Sequence, residues 1–128
     1  MADEKPTVLV VEDDPRLLRV YQAKLSQQGW AVLTAADGEV GSQVAREKHP
    51  QVVLLDLMLP KKDGFGVLSD LKNDQGSANV KVLILSNLGQ QADIDRGKTL
   101  GAKEYMVKSD FSLDAIITKV KAYLPAGT

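Results

Sequence analysis

The sequence contains no cysteine, only one histidine and no excess of positive charge. Without cysteine the chain cannot form a disulfide, a thiolate nucleophile or a cysteine metal site. The single histidine, His49, precedes a proline near a predicted helix end, and we interpret it as an exposed helix-terminal residue rather than a phosphocarrier. The formal net charge of −1 does not suit a surface for nucleic acid or an anionic membrane. We therefore expect neither of these as a partner of this domain.

Long apolar runs and glycine-rich loops are also missing. The first apolar run, Val8–Val11, has only four residues and follows an acidic rather than a basic segment. Such a run is neither a signal peptide nor a membrane span, so we expect a cytoplasmic protein. No glycine-rich loop follows it, which argues against a dinucleotide-binding domain. The length of 128 residues fits one domain, assigned to residues 1–128 with a core over about 6–124.

Short apolar runs recur along the chain at intervals that suit β-strands. Three of them are continuous rather than alternating: Val8–Val11, Val52–Leu55 and Val82–Leu85. Continuous β-branched runs of this length are typical of parallel strands that are buried on both faces. Two weaker runs, Ala31–Leu33 and Tyr105–Val107, complete a set of five.

Segments with helical periodicity follow each of these runs. The segment Gln90–Leu100 is the weakest, because Ile94 and Leu100 are its only large apolar residues. Five alternations of strand and helix predict an α/β fold, a doubly wound five-stranded parallel sheet with helices on both faces. The helices are expected after the N-caps or first-turn residues Pro15, Asp37 and Ser112, and over Gly64–Asp74 and Gln90–Leu100.

Polar side chains follow the predicted strands at their carboxyl ends. Glu12 and Asp13 follow the first strand, Asp56 the third, Ser86 the fourth and Lys108 the fifth. In an open α/β sheet, ligands bind outside the carboxyl ends of the strands, at the point where strand order reverses. If the order is 2-1-3-4-5, that point lies between the first and third strands, and these side chains would converge there.

A cluster of three carboxylates suits cation binding and phosphoryl transfer. The negative charges repel, so either one group is protonated or a cation joins them. Mg²⁺ suits such a site, because it binds carboxylate and carbonyl oxygens and leaves room for phosphate oxygens. A carboxylate can also act as a phosphoryl nucleophile. Mg²⁺, the Lys108 ammonium and the Ser86 hydroxyl could then stabilise the charge that develops in the transition state.

Four segments resemble the signature blocks of the response-regulator receiver family, which includes the single-domain chemotaxis response regulator. They are VLVVEDD, VVLLDLMLPKKDG, VLILSN and EYMVKSD. The resemblance extends over roughly Pro6 to Leu124, and its specificity lies in the ordered set of blocks. It implies a flavodoxin-like fold with strand order 2-1-3-4-5. It also implies a sensor histidine kinase or a histidine phosphotransfer protein as partner in two-component signal transduction.

The resemblance further implies a role for each site residue by position. Asp56 would be the phosphoacceptor, in a Mg²⁺-dependent transfer from phosphohistidine. Asp13, Asp56 and the backbone carbonyl of Met58 would bind Mg²⁺ directly, and Glu12 would contribute through water. Such a protein catalyses its own aspartyl phosphorylation and dephosphorylation and turns over no separate substrate.

The same resemblance implies a conformational switch. Ser86 would move to hold the phosphoryl group, and Lys108 would pair with a phosphoryl oxygen. Tyr105 would swing inward as Ser86 moves, and the face formed by the fourth helix, fifth strand and fifth helix would change.

The chain departs from the family pattern at several positions. Asn87 stands where a small residue is usual, and we expect its bulk to shield the phosphoryl group. Ser109 replaces the usual proline, so a trans peptide bond is expected after Lys108. A basic pair, Lys61-Lys62, replaces the glycine that often follows the loop proline, and we interpret it as a solvated pair. Asp14 is interpreted as a helix N-cap rather than a metal ligand.

Two alternative functions remain open from the sequence. An aspartate-nucleophile phosphatase would use the same acids, but such families usually carry Asp-x-Asp, and here Met58 occupies the second position. A phosphate-independent docking module is the other alternative, against which the intact acids, hydroxyl and lysine argue. The sequence identifies neither the cognate kinase nor the output target.

Overall fold

Five parallel strands form one sheet in the computed structural model, which describes residues 5–77 and 79–125. The strand order is β2-β1-β3-β4-β5, and all neighbours pair in parallel. This confirms the predicted doubly wound, flavodoxin-like sheet and its reversal of order between β1 and β3. The strands are β1 Thr7–Val11, β2 Ala31–Ala35, β3 Val52–Leu55, β4 Lys81–Ser86 and β5 Glu104–Val107.

One helix follows each strand. The third helix ends at Lys72 instead of the predicted Asp74, because Asp74 is used in the next turn, where its carboxylate accepts a hydrogen bond from the Ser77 hydroxyl at 2.6 Å. No helix of the described residues is long and apolar enough to cross a membrane. The helices are α1 Pro15–Gln27, α2 Gly38–Lys48, α3 Gly64–Lys72, α4 Gln91–Thr99 and α5 Leu113–Ala122.

The predicted N-caps of three helices are confirmed. The side chains of Asp14, Asp37 and Ser112 accept hydrogen bonds from backbone N–H groups in the first turns of α1, α2 and α5. Such a cap stabilises a helix by about 1 kcal/mol, because it satisfies a donor that has no partner within the helix. Helix α4 begins after Gln90 without a side-chain cap, which agrees with its weak sequence signal. His49 is exposed and forms the C-cap of α2, as expected.

The core has two halves, one on each face of the sheet. Leu9 and Leu55 face one half, which is completed by α2 and α3, while Val10 and Leu54 face the other, completed by α1 and α5. All four side chains are at most 2% exposed. Burial of each such side chain contributes roughly 1.5–3 kcal/mol. Burial on both faces explains why the strand sequences are continuously apolar, and it leaves polar residues only at the strand ends.

Candidate functional site

The acidic residues meet at the carboxyl end of the sheet, where β1 and β3 lie side by side. Val11 pairs with Leu55, and the N–H of Asp56 donates to the Val11 carbonyl at 3.0 Å. The residues that follow these two strands therefore emerge next to each other. Carboxylate oxygens of Glu12, Asp13 and Asp56 all lie within 4.8 Å of one another. Glu12 is 3% and Asp56 7% exposed, whereas Asp13 is exposed to solvent.

Lys108 is the cation that this cluster contacts. Its Nζ lies 2.7 Å from Glu12 Oε1 and 2.9 Å from Asp56 Oδ2. Burial alone would lower the pKa of Lys108, but the hydrogen bonds to the two carboxylates raise it above its usual value. The ammonium is therefore charged at neutral pH. Three carboxylates and one ammonium leave two negative charges without a partner inside the cluster.

The pKa of Glu12 is also raised, which for a carboxyl group disfavours the charged form. Burial raises the pKa of Glu12, the negative charge of Asp56 raises it further, and the hydrogen bond from Lys108 opposes both. The one ammonium, which Glu12 shares with Asp56, does not offset the desolvation of Glu12. An additional cation at this position would therefore stabilise the ionised form of Glu12.

A cavity of about 370 Å³ opens above the cluster. Met58 lies on its rim with 60% of its surface exposed, and its N–H donates to Asp56 Oδ1 at 3.3 Å. The backbone of Met58, whose carbonyl is the predicted metal ligand, therefore lies beside the Asp56 carboxylate. Asn87 also lines the cavity together with Asp13 and Lys108. An incoming group would thus meet the Asn87 side chain beside the Asp56 carboxylate.

The two predicted switch residues are linked through one backbone segment rather than by direct contact. Ser86 is fully buried, and its hydroxyl oxygen accepts a hydrogen bond from the N–H of Leu88 at 3.3 Å. The carbonyl of the same Leu88 accepts from the Tyr105 hydroxyl at 2.6 Å. A Cβ on Gly97 of α4 would lie 2.6 Å from Ile84 Cδ1 and 3.2 Å from the Tyr105 ring, so glycine lets α4 approach β4 and the ring.

Sequence reasoning did not identify this role of Leu88. Its side chain does pack against the core, but the link to Ser86 and Tyr105 uses its peptide groups. Side-chain identity carries no signal for such a backbone contact.

The loop after Asp56 contains the predicted basic pair, Lys61 and Lys62. The prediction of a solvated basic pair is wrong for Lys62, which is one-third exposed and forms an ion pair with Asp70. Lys61 is exposed, as expected, but its φ of +69° lies in the left-handed region that favours glycine.

No cis peptide bond occurs in the described residues, which agrees with the trans bond expected before Ser109.

A family model for the response regulator receiver domain matches residues 8–121. The chain belongs to the response-regulator receiver family. The match covers most of both core halves and the four strand ends that form the site, those of β1, β3, β4 and β5. The family consists of signalling receivers rather than enzymes that turn over a separate substrate.

Relatives and solved structures agree with this assignment. The receiver is 37% identical over 119 residues to the "DNA-binding dual master transcriptional regulator RpaA" of Synechocystis, covering 93% of this chain and 49% of that protein. It is 36% identical over 124 residues to the "Probable transcriptional regulator ycf27" of Cyanophora paradoxa, covering 97% and 50%. The chain thus spans about half the length of these curated relatives. The receiver domain of the Francisella response regulator 1452 superposes with a TM-score of 0.84 at 28% identity, covering 93% of this chain and 96% of that one.

Proposed function

We propose that this receiver accepts a phosphoryl group on Asp56 from a phosphohistidine of a sensor histidine kinase or a histidine phosphotransfer protein. The observation that carries the proposal is the position of the Asp56 carboxylate, which lies beneath an open cavity with Lys108 and two further acids beside it. A carboxylate oxygen of Asp56 forms a bond to phosphorus as the phosphorus–nitrogen bond breaks. The electron pair of that bond returns to the imidazole, which leaves as histidine.

The residues present fit Mg²⁺ as a cofactor. Three carboxylates within 4.8 Å of one another offer hard oxygen ligands, and two of their charges are not offset by Lys108. Asp13, Asp56 and the Met58 carbonyl would hold the ion directly, and Glu12 would contribute through water. When bound, Mg²⁺ stabilises negative charge on the transferring phosphoryl group.

Lys108 and Ser86 have complementary roles in this proposal. The Lys108 ammonium is already within hydrogen-bond distance of Asp56, so it can pair with a phosphoryl oxygen after a small shift. The phosphorylated side chain carries about −1.5 to −2 charge in place of the single negative charge of the carboxylate, and the added negative charge attracts the Ser86 hydroxyl away from the N–H of Leu88. Because Leu88 also holds the Tyr105 hydroxyl, the change reaches β5 and the adjoining surfaces of α4 and α5.

The partners that we propose for this domain are proteins. A net charge of −1 does not favour nucleic acid as a partner, so we propose that any DNA binding would belong to other parts of a longer protein. We propose a cytoplasmic location, where kinase and phosphate donor are available to it. We propose that the output target binds the surface that phosphorylation changes, which is formed chiefly by α4, β5 and α5.

The test is intact mass spectrometry of the protein after incubation with Mg²⁺ and acetyl phosphate. We expect the mass of one phosphoryl group to be added to the wild type, to depend on Mg²⁺ and to be absent in Asp56→Asn. Asp63→Asn is the matched control, because Asp63 is an N-cap outside the carboxylate cluster and asparagine caps equally well.

Other outcomes would support the alternatives. No added mass in the wild type at any Mg²⁺ concentration would contradict the proposal and favour a phosphate-independent docking module. Consumption of the donor over many turnovers, without accumulated phosphoprotein in rapid-quench samples, would favour a phosphatase.

A further inference from the structure

The loop between Asp56 and α3 is held on two sides. At one side the N–H of Gly38, at the start of α2, donates to the Pro60 carbonyl at 3.3 Å. A Cβ on Gly38 would lie 1.7 Å from the Lys62 carbonyl oxygen, a distance that no side chain can occupy. Only glycine at this position therefore lets α2 approach the loop so closely.

On the other side, Lys62 ties the loop to α2 and α3. Its ammonium forms an ion pair with Asp70 of α3, and the same Asp70 oxygen accepts a hydrogen bond from the Ser42 hydroxyl of α2 at 2.9 Å. Ser42 is fully buried. Burial by itself would raise the pKa of Asp70, but the bonds from Lys62 and Ser42 and the charge of Arg46 lower it. Asp70 is therefore ionised at neutral pH, and the tie is intact.

This loop also carries the metal-binding backbone of the proposed site. The N–H of Met58 donates to Asp56 Oδ1 at 3.3 Å, and the N–H of Gly64 donates to the Leu57 carbonyl at 2.9 Å. A Cβ on Gly64 would lie 2.4 Å from the Asp56 carbonyl oxygen, so the loop closes tightly on itself. Its ends are fixed by these contacts, and Lys62 fixes the part between them.

We propose that the tie formed by Lys62, Asp70 and Ser42 positions the Met58 carbonyl for Mg²⁺. The inference rests on the proposed function, because it assumes that this carbonyl is a ligand. Mg²⁺ demands near-ideal octahedral geometry, so a loop that drifts by a fraction of an ångström binds it less well. Residues that orient ligands in this way typically change metal affinity by about 10- to 100-fold. Lys62 is a positioning residue in this scheme, and it does not contact the ion.

The decisive variant is Lys62→Met, which keeps the length of the side chain and removes its charge. We expect the Mg²⁺ dissociation constant, measured by amide chemical-shift titration, to rise by about 10-fold. A direct electrostatic effect has the opposite sign, because removing a positive charge near the site favours a cation. Lys61→Met is the matched control, since Lys61 is adjacent and exposed, and its Nζ lies 3.9 Å from Asp37 Oδ2, its one ion-pair partner among residues 5–77 and 79–125.

Two further variants and one further measurement complete the test. Lys62→Arg restores the ion pair, and we expect it to recover wild-type affinity, whereas Ser42→Ala weakens Mg²⁺ binding without changing any charge. In metal-free protein, we expect the amides of Met58 to Gly64 to exchange faster in Lys62→Met than in Lys61→Met. This readout does not depend on phosphorylation.

The outcomes separate this inference from the proposed function. Failure of the wild type itself to bind Mg²⁺ and take up phosphate would reject the metal site as a whole. A wild type that binds Mg²⁺ while Lys62→Met binds it equally well or more tightly would overturn the positioning role alone. An equal loss of affinity in Lys62→Met and Lys61→Met would overturn it as well, because the effect would then be independent of the tie.

Discussion

Replacing Asp13 by asparagine tests whether the three carboxylates repel one another in the metal-free receiver. Asp13 is exposed, and its side chain forms no hydrogen bond or ion pair within residues 5–77 and 79–125. Glu12 and Asp56, by contrast, both bond to Lys108. Neutralising Asp13 therefore relieves repulsion without breaking an attractive contact.

The size of the effect follows from the separation of the charges. At 4.8 Å two unit charges repel by about 0.9 kcal/mol in water and by about 3.5 kcal/mol at an effective dielectric constant of 20. The exposure of Asp13 places its two repulsions near the lower value, and the Lys108 charge offsets part of them. We expect Asp13→Asn to raise the free energy of unfolding by about 1 kcal/mol in EDTA.

Mg²⁺ should reverse this order of stability. We expect the wild type to gain about 2.7 kcal/mol at a Mg²⁺ concentration of 100 times its dissociation constant, and we expect the variant to gain less because it lacks a carboxylate that we propose as a ligand. Urea denaturation can be followed by the fluorescence of Trp30, the single tryptophan, which is 4% exposed in the folded protein. The measurement is made in EDTA and in Mg²⁺ for both proteins.

Asp14→Asn is the control for the removal of a charge at this end of the sheet. Asp14 caps α1 and has a weak ion pair with Arg16 at 3.7 Å, and asparagine is an equally good cap. We expect a change within about 0.5 kcal/mol and an unaltered response to Mg²⁺. An Asp13→Asn protein that is no more stable than wild type in EDTA, or a control that is stabilised equally, would refute the reasoning.

Three further predictions concern the loops around Asp56 and the proposed switch. Lys61→Gly removes a side chain from a left-handed backbone conformation that costs about 1–2 kcal/mol, while the greater freedom of glycine in the unfolded chain costs roughly 0.5–1 kcal/mol. We therefore expect urea unfolding to show that the variant is more stable by about 0.5 kcal/mol. A loss of stability would contradict backbone strain at Lys61. Asn87→Ala should speed the loss of phosphate measured by mass, because Asn87 lines the cavity, and an unchanged rate would exclude shielding. A phosphoryl mimic should alter hydrogen exchange within residues 86–108, and equal protection in both states would rule out the switch.

The three central strands were predictable because they are buried on both faces. A continuous run such as Val52–Leu55 has no exposed face to interrupt it with polar residues, so the run itself marks the strand. Helix ends were less predictable where side-chain hydrogen bonds in the following turn compete with continuation of the helix. Asp74 prolongs a helical pattern in sequence, but its side chain bonds to Ser77 in the following turn and the helix stops earlier.

The carboxylate cluster was predictable for a topological reason. Once the order 2-1-3-4-5 is assumed, residues that follow β1 and β3 must lie together, whatever the details of packing. The tie of Lys62 to Asp70 and Ser42 has no such rule behind it. Ser42 and Asp70 are 28 residues apart on different helices, and their contact depends on how α2 packs on α3. From the sequence, Lys62 is predicted to be an ordinary surface lysine.

One ammonium connects the chemistry of the site to the rest of the fold. Lys108 directly follows β5, and in the metal-free receiver it is shared between Glu12 and Asp56. A phosphoryl group on Asp56 presents more negative charge than the carboxylate it replaces, so the competition shifts away from Glu12. Glu12 then needs another cation, because its burial already raises its pKa. Mg²⁺ binding and phosphorylation are therefore expected to favour each other, and an increase in Mg²⁺ affinity on phosphorylation would be the direct sign of that linkage.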